Sequence, residues 1–545
     1  VFWLNTGDAY DRSLHSNKGM NPTGQGARTA PRYSDPSLLL LAALLLAVFM
    51  LSRAPFFWFY PSVQPAVDTL WYLDIVNAIK ADLWPNLQYR PPGYPLFFWF
   101  ITLFTDRWIA IVFAQNLLSY ASCLFLVYSV RRYRSSLALP ATLALCGFLG
   151  SSQVVLYDIA LLSDSLYASC LITVVALLFL AFREFDPFTL VMASTAMALS
   201  ILVRSAGEYL VVFYAAVLAY LVWQRKPVRS VVGFLLPFPA LILGLCLYNY
   251  ATISCFVVTS LGEANLAGAT ALFWEPDPRL PDSVNLALKD LPASYVRQDI
   301  TAEDLRTMRT SWNVEELNLV YEKAFNRLIF SEGWGWGRFG SGDYLRSRAT
   351  MRAVSLVAIR RHPVLYAKFV WVGLVEYFGG VGYKYDIESS IEYRTRGNPL
   401  SGVHGLHPDE AAGRRASVSN GPSPGPAPQG MQAKPGQERL VRGLQHLWQR
   451  LHAVIFQNIA WSYAYFAVLM LGAVRLVLSR GRVKSVVLLF LVTLIPLGAG
   501  LTASLVVISS DRYSYPTQFI YYLSLALTPL LFGRDPGTNE REHGA

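Results

Sequence analysis

The sequence predicts an all-α protein, a polytopic transmembrane helical bundle of about 10–11 spans with amphipathic loops on the extracytoplasmic side. Three observations predict it. The chain is 54% hydrophobic and only 15% charged, with a mean hydropathy of +0.35, more apolar than one soluble core requires. Long apolar runs recur, each about long enough for a hydrocarbon layer of ~30 Å. The Lys and Arg residues between the runs cluster in alternate loops, as the positive-inside rule requires of a protein threaded back and forth.

In chain order, residues 1–36 are polar and are expected to be a disordered cytoplasmic N-terminus, with no Met before Met20. This segment is too long and irregular for the n-region of a cleaved signal peptide. Spans are expected near 37–53, 108–130, 137–156, 165–182, 187–203, 207–223, 231–250, 453–474, 485–507 and 514–532. The cation clusters Arg131, Arg132 and Arg134, then Arg225, Lys226 and Arg229, then Arg475, Arg480, Arg482 and Lys484 put their loops in the cytoplasm. The tail 534–545 lies on the same side. The apolar runs Tyr94 to Phe104 and Val364 to Phe378 are short, and counting either as a span would send a cation cluster outside. Both are therefore placed along the outer interface.

This topology gives an N-terminal transmembrane module, 37–250, with an external loop at 54–107. An extracytoplasmic region follows at 251–451, then a C-terminal transmembrane module at 452–533. Amphipathic patterns occupy Thr301 to Phe330 and Asp343 to Arg361. The Pro, Gly and Ser-rich tract 397–437 has too little apolar surface to offset its ordering entropy and is expected to be a disordered loop.

The net charge of +10 is accounted for by topology, because the cations form no aromatic-interleaved stripe of the kind that binds nucleic acid. The five cysteines lie in or beside apolar runs, without Cys-x-x-Cys spacing, which points away from a disulfide framework and a thiolate metal site. GWGWGRFGSG at 333–342 has glycines but no preceding strand, so it is not a nucleotide loop. No internal repeat of the transporter kind is present.

The expected outer rim collects Asp68, Asp74, Arg90, Asp158, Asp164, Arg204, Glu208, Asp511 and Arg512 from separate loops. Ionisable groups at a membrane boundary are costly to desolvate, so a convergent set marks a candidate site, while any one of them could simply cap a helix end. The contexts are AVDTLWYLDIVNAI around Asp68, YRPPGYPLFFWF around Arg90, LLSDSLY around Asp164, LVRSAGE around Arg204 and SSDRYSYP around Arg512. Two prolines stiffen the turn after Arg90, and Gly93 permits a tight bend. Asp74 would lie about 240° round a helix from Asp68 and is expected to be a structural partner.

In this order, the motifs resemble those of the C-type (GT-C) superfamily of polytopic membrane glycosyltransferases, most closely glycosyltransferase family 39 and the aminoarabinose lipid A transferases. NYATISCFVVTSLGEANLAG at 249–268 and RRHPVLY at 360–366 fit the same resemblance, which covers about residues 37–533. Two positions depart from the family pattern: Asp164 stands where a Glu is usual, and Tyr248 where an Arg is usual. The resemblance implies an enzyme that moves a hexose or pentose from a polyprenyl-phosphate donor to an extracytoplasmic lipid, glycan or protein, inverting the anomeric centre. It implies Asp68 as catalytic base and Arg90 as phosphate ligand, because a guanidinium can meet two phosphate oxygens at once. Asp164 is implied in the catalytic set, either binding hydroxyls or holding Arg90 or Arg204. Arg204, Arg512, Tyr72, Tyr94 and Tyr513 are implied substrate-binding residues.

No cofactor is expected, and no metal site, since His362, His404 and His407 lack ligand spacing and the external loops hold no acid–His cluster. The partners expected are the lipid-linked donor, the bilayer and the acceptor, with no nucleic acid. The location implied is a bacterial plasma membrane with the site on its outer face. A polytopic transporter or flippase, and a polymerase or ligase of lipid-linked oligosaccharides, are the alternative classes.

Overall fold

The computed structural model describes residues 37–59, 67–289, 300–325, 344–379, 460–506 and 511–532. Among them the chain is helical and forms no β-strand, as the sequence predicts. Six helices are long and apolar enough to cross a membrane: Trp108–Tyr133, Ser163–Glu184, Ser205–Trp223, Val228–Ile253, Ala460–Leu478 and Lys484–Leu505. The chain is thus a multi-pass membrane protein.

The remaining expected spans are shorter or broken. Leu38–Ala54 and Pro187–Val203 are apolar helices of lesser length. A helix of 17 residues, such as Pro187–Val203, rises about 26 Å, a little under the ~30 Å hydrocarbon layer. The expected span at 137–156 is a helix pair, Ser135–Gly150 and Gln153–Ile159, bent by 64° and able to count as a seventh span. The last one is assembled from short pieces, Tyr515–Thr517, Gln518–Ala526 and Thr528–Leu531. Apolar run length predicts these segments but not where Pro, Ser and Gly interrupt them.

Ser163–Glu184 is the central helix, and almost every side chain along it is buried. It packs chiefly on Trp108–Tyr133 and Pro187–Val203. Small residues make that approach possible: Ser165, Ala168, Ser169 and Ala176 on the central helix meet a neighbour carrying Ser119, Ser122, Cys123 and Ser129. The central helix stops at Phe185, which is left-handed (φ 54°). Asp186 then caps the next helix by accepting the Thr189 amide at 2.8 Å, with Pro187 at the first helical position.

The region expected as external loops has a core of its own. Phe273, Trp274, Met308, Leu317, Tyr321, Met351 and Phe369 are buried together. They come from Leu261–Thr270 and the turn after it, Ala302–Thr310, Val314–Phe325, Tyr344–Arg361 and Pro363–Gly379. Thr301 and Asp304 form a reciprocal capping box at one of these helices. The Lys368 ammonium caps its other end, donating to the carbonyls of Met308 (3.2 Å), Arg309 (2.9 Å) and Ser311 (2.7 Å). Pro363–Gly379 runs against Lys484–Val506, where a Cβ on Gly373 would stand 3.0 Å from Ser504. The tract 397–437, His404 and His407, residues 1–36 and the tail 534–545 lie outside the described residues.

Candidate functional site

The site is built where helices break. Arg90 precedes the two prolines and Gly93, whose Cα sits directly on the backbone at the end of Pro187–Val203. A Cβ there would be 2.6 Å from the Leu202 carbonyl oxygen and 2.7 Å from the Val203 nitrogen. Glycine therefore lets two loops meet, the one carrying Arg90 and the one carrying Arg204. Arg204 is extended (φ −152°, ψ 122°), and a 3-10 turn, Ser205–Tyr209, follows it. The Gly207 amide closes that turn on the Arg204 carbonyl at 2.9 Å.

A second break separates Ser152–Ile159 from Ser163–Glu184. Carbonyls freed there need donors, because lipid supplies none. Gln115 donates to the carbonyls of Asp158 and Ala160 at 2.7 Å each, Asn116 to that of Asp158 at 2.7 Å, and Thr69 to that of Leu161 at 2.8 Å. Tyr72 donates to the Ser163 hydroxyl at 2.9 Å. Thr69 and Tyr72 thus dock Val67–Lys80 on the break and bring Asp68 alongside.

Three acid–guanidinium pairs result. Arg90 binds Asp68, with 24% and 12% of the two side chains exposed. Arg204 binds Asp164, with 9% and 0% exposed. Arg53 binds Asp158, both buried, and Asp158 also accepts the Ser165 hydroxyl at 2.5 Å. Arg53 further donates to Asn116, Ser52 and the Leu149 carbonyl.

The first two pairs meet a cavity of about 160 Å³ whose lining includes Tyr72, Arg90, Arg204, Glu208, Asn265 and Tyr513. Tyr72, Arg90, Arg204 and Tyr513 are expected from the sequence to bind substrate, and Glu208 belongs to the expected outer rim. Tyr513 carries the Arg204 guanidinium on its ring face at 5.2 Å. Asp68 reaches the cavity edge through Arg90, and Asp164 sits behind Arg204, sealed from solvent. Tyr94 is buried away from the cavity, donating to Gln115 at 3.2 Å with its ring edge-on to Tyr72 at 4.7 Å. Burial, helped by Tyr72 and Asp164, raises the Tyr94 phenol well above its usual range, so it stays a neutral donor. Asp74 is exposed on the opposite face of its helix from the site. Arg512 is the second residue of the turn Asp511–Ser514, and its side chain lies outside the described residues.

Two features escaped the sequence reading. Arg53, at the end of the first apolar run, is the partner of Asp158 across 105 positions of sequence. The wall at Thr259, Leu261, Gly262 and Asn265 is the second. Asn249 holds the turn before it, donating to the carbonyls of Val257 (2.8 Å) and Val258 (3.0 Å). Ser260 ties it to Gln88, its amide and hydroxyl both donating to the Gln88 carbonyl at 2.9 and 2.8 Å. The signal was the NYATIS to NLAG passage, which carried the resemblance but no assigned contact. Among the described residues no group of His, Cys, Asp and Glu is placed to hold a metal.

Chemically, the arrangement offers two oriented guanidiniums facing one small cavity, each neutralised by its own carboxylate. An anion of phosphate geometry can bind them bidentately. Only the partly exposed carboxylate, Asp68, can be displaced without opening the core.

No family model matches the chain, and no curated protein matches it. Two solved structures are similar over most of it. One is the crystal structure of the Archaeoglobus fulgidus oligosaccharyltransferase in the apo form, at 13% identity and a TM-score of 0.36, covering 91% of this chain. The other is the archaeal oligosaccharyltransferase AglB from Archaeoglobus fulgidus, in complex with an inhibitory peptide and a dolichol-phosphate, also at 13% identity and 0.36, covering 90% of this chain. In both cases the chain spans 50% of the length of the protein it matches.

Proposed function

We propose that this protein is a membrane glycosyltransferase that moves a sugar from a polyprenyl-phosphate donor to an extracytoplasmic lipid, glycan or protein, inverting the anomeric centre. The observation that carries the reading is the cavity lined by Arg90 and Arg204, with Tyr72 and Tyr513 beside them and Asp68 bonded to Arg90 at its edge. The alternate-loop cations support a rim on the outer face of the membrane, in this reading a bacterial plasma membrane.

In this reading the donor phosphate lies against Arg90 and Arg204. The oxygen of an acceptor hydroxyl forms a bond to the anomeric carbon, and the bond from that carbon to the phosphate oxygen breaks. The electron pair leaves on the phosphate, where the two guanidiniums stabilise it. The hydroxyl proton goes to Asp68. Phosphate arriving on Arg90 replaces Asp68 as its partner and frees the carboxylate for that proton. Asp164 stays buried and holds Arg204 in place, a positioning role consistent with its zero exposure.

Binding of a short-chain polyprenyl phosphate to the purified protein tests the anion end of this site. Arg90→Ala and Arg204→Ala should each weaken binding about 10- to 100-fold, the worth of a charge-assisted contact. Unchanged affinity in both variants would contradict the reading.

A further inference from the structure

The cavity also carries a group whose chemistry differs from that of the arginines. Glu208 lines it, on the 3-10 turn four residues after Arg204, and is exposed. Among the described residues it makes neither an ion pair nor a hydrogen bond. Another carboxylate, Glu263, lies near enough to act on it. Glu263 is itself taken by Arg348, which donates to its two oxygens at 3.1 and 2.6 Å. Asp68 and Asp164 are likewise taken, by Arg90 and Arg204. Of the four described carboxylates at or beside the cavity, Glu208 alone has no cation among the described residues.

A carboxyl group without a cation is satisfied by hydroxyl groups, which both donate and accept hydrogen bonds. Asn265 and Thr259 line the same cavity and add an amide and a hydroxyl, groups that both donate and accept. We infer that Glu208 accepts hydrogen bonds from hydroxyls of the transferred sugar and is the residue that sets which sugar is used. The donor then lies with its phosphate on Arg90 and Arg204 and its polyol on Glu208. This inference rests on the glycosyltransferase reading.

The test uses the full-length protein in proteoliposomes and a panel of hexoses and pentoses on polyprenyl phosphate, followed by the monodeoxy analogues of the best substrate. A site that hydrogen-bonds a substrate hydroxyl discriminates strongly against the analogue lacking it. Wild type should lose about 10- to 100-fold in kcat/KM on one monodeoxy donor. In Glu208→Ala that gap should shrink to within about threefold, because enzyme and substrate have each lost one half of the same contact. Glu208→Gln, which keeps one acceptor oxygen, should fall between the two. Affinity for polyprenyl phosphate without a sugar should be unchanged or higher in Glu208→Ala.

A uniform loss on the parent and all its analogues would overturn the inference, as would unchanged rates or weaker binding of the bare lipid phosphate. Transfer by wild type with any of those results leaves the glycosyltransferase reading standing. Absence of transfer by wild type from every donor would overturn both.

Discussion

The Asp68 carboxylate and the Arg90 guanidinium form an ion pair beside the cavity, 22 residues apart in sequence and partly open to solvent. The pair has to open for the proposed chemistry. Asp68→Asn should lower transfer about 10²- to 10⁴-fold, the usual loss when a general base is removed. Its thermal midpoint should stay close to wild type, because a partly exposed pair contributes little to stability. A thermal-shift assay beside the rate measurement separates the two effects, and a large fall in the midpoint would mean that Asp68 is structural.

Arg53 and Asp158 should behave in the opposite way. Both are buried, so removing one leaves an uncompensated charge, at a cost of about 3–5 kcal/mol. Arg53→Met should fall sharply in folded yield and thermal midpoint, and Arg53→Met combined with Asp158→Leu should recover part of the loss. Full stability of the single variant would show that the pair carries no structural weight.

Gly93→Ala should destabilise the protein and weaken binding of polyprenyl phosphate. Its Cβ would stand 2.6 Å from a backbone oxygen that cannot rotate away. Overpacking of this kind costs about 1–3 kcal/mol and would push the Arg90 loop off the Arg204 loop. Gly244→Ala is the control, since beyond its own helix backbone and chain neighbours no described atom lies within 4 Å of its Cβ. Thermal midpoints of the two variants side by side decide the point, and equal midpoints would contradict the close approach.

Lys368→Met should loosen the helix Ala302–Thr310 while leaving the cavity intact. The ammonium serves three carbonyls at that helix end and lies 4.9 Å over the Trp312 ring. Hydrogen exchange should speed up in peptides covering 302–312 and stay unchanged around Arg204. Equal protection in both regions would show that the cap does not hold the helix.

These relationships separate what could be read from the chain and what could not. Apolar run length and alternate cations show an all-helical membrane protein, because lipid imposes those patterns directly. The rim residues Asp68, Arg90, Asp164 and Arg204 stand out because charge beside an apolar run is costly. Their pairing does not, since Arg204 could equally have met Asp68, and only the contact of Gly93 with Leu202 and the docking of Tyr72 on Ser163 set the partners. Tyr94 shows the same limit: its motif suggested a substrate contact, while packing turns its hydroxyl to Gln115. The core around Phe273, Met308 and Tyr321 reads as loops in the sequence because its amphipathic helices contribute only a few apolar residues each. Interruptions at 151–162 are hard to read because the side chains that satisfy them, Gln115 and Asn116, lie some forty residues away.

Transfer itself is the most direct test of the central claim. Purified wild-type protein in proteoliposomes is given a radiolabelled sugar on polyprenyl phosphate and an extracytoplasmic acceptor fraction, and labelled product and released polyprenyl phosphate are measured together. The account predicts both, in equal amounts, with inverted anomeric configuration and with Asp68→Asn reduced at least about 100-fold. Full transfer by Asp68→Asn at normal abundance would contradict it, as would movement of a solute across the vesicle with no lipid-linked sugar consumed.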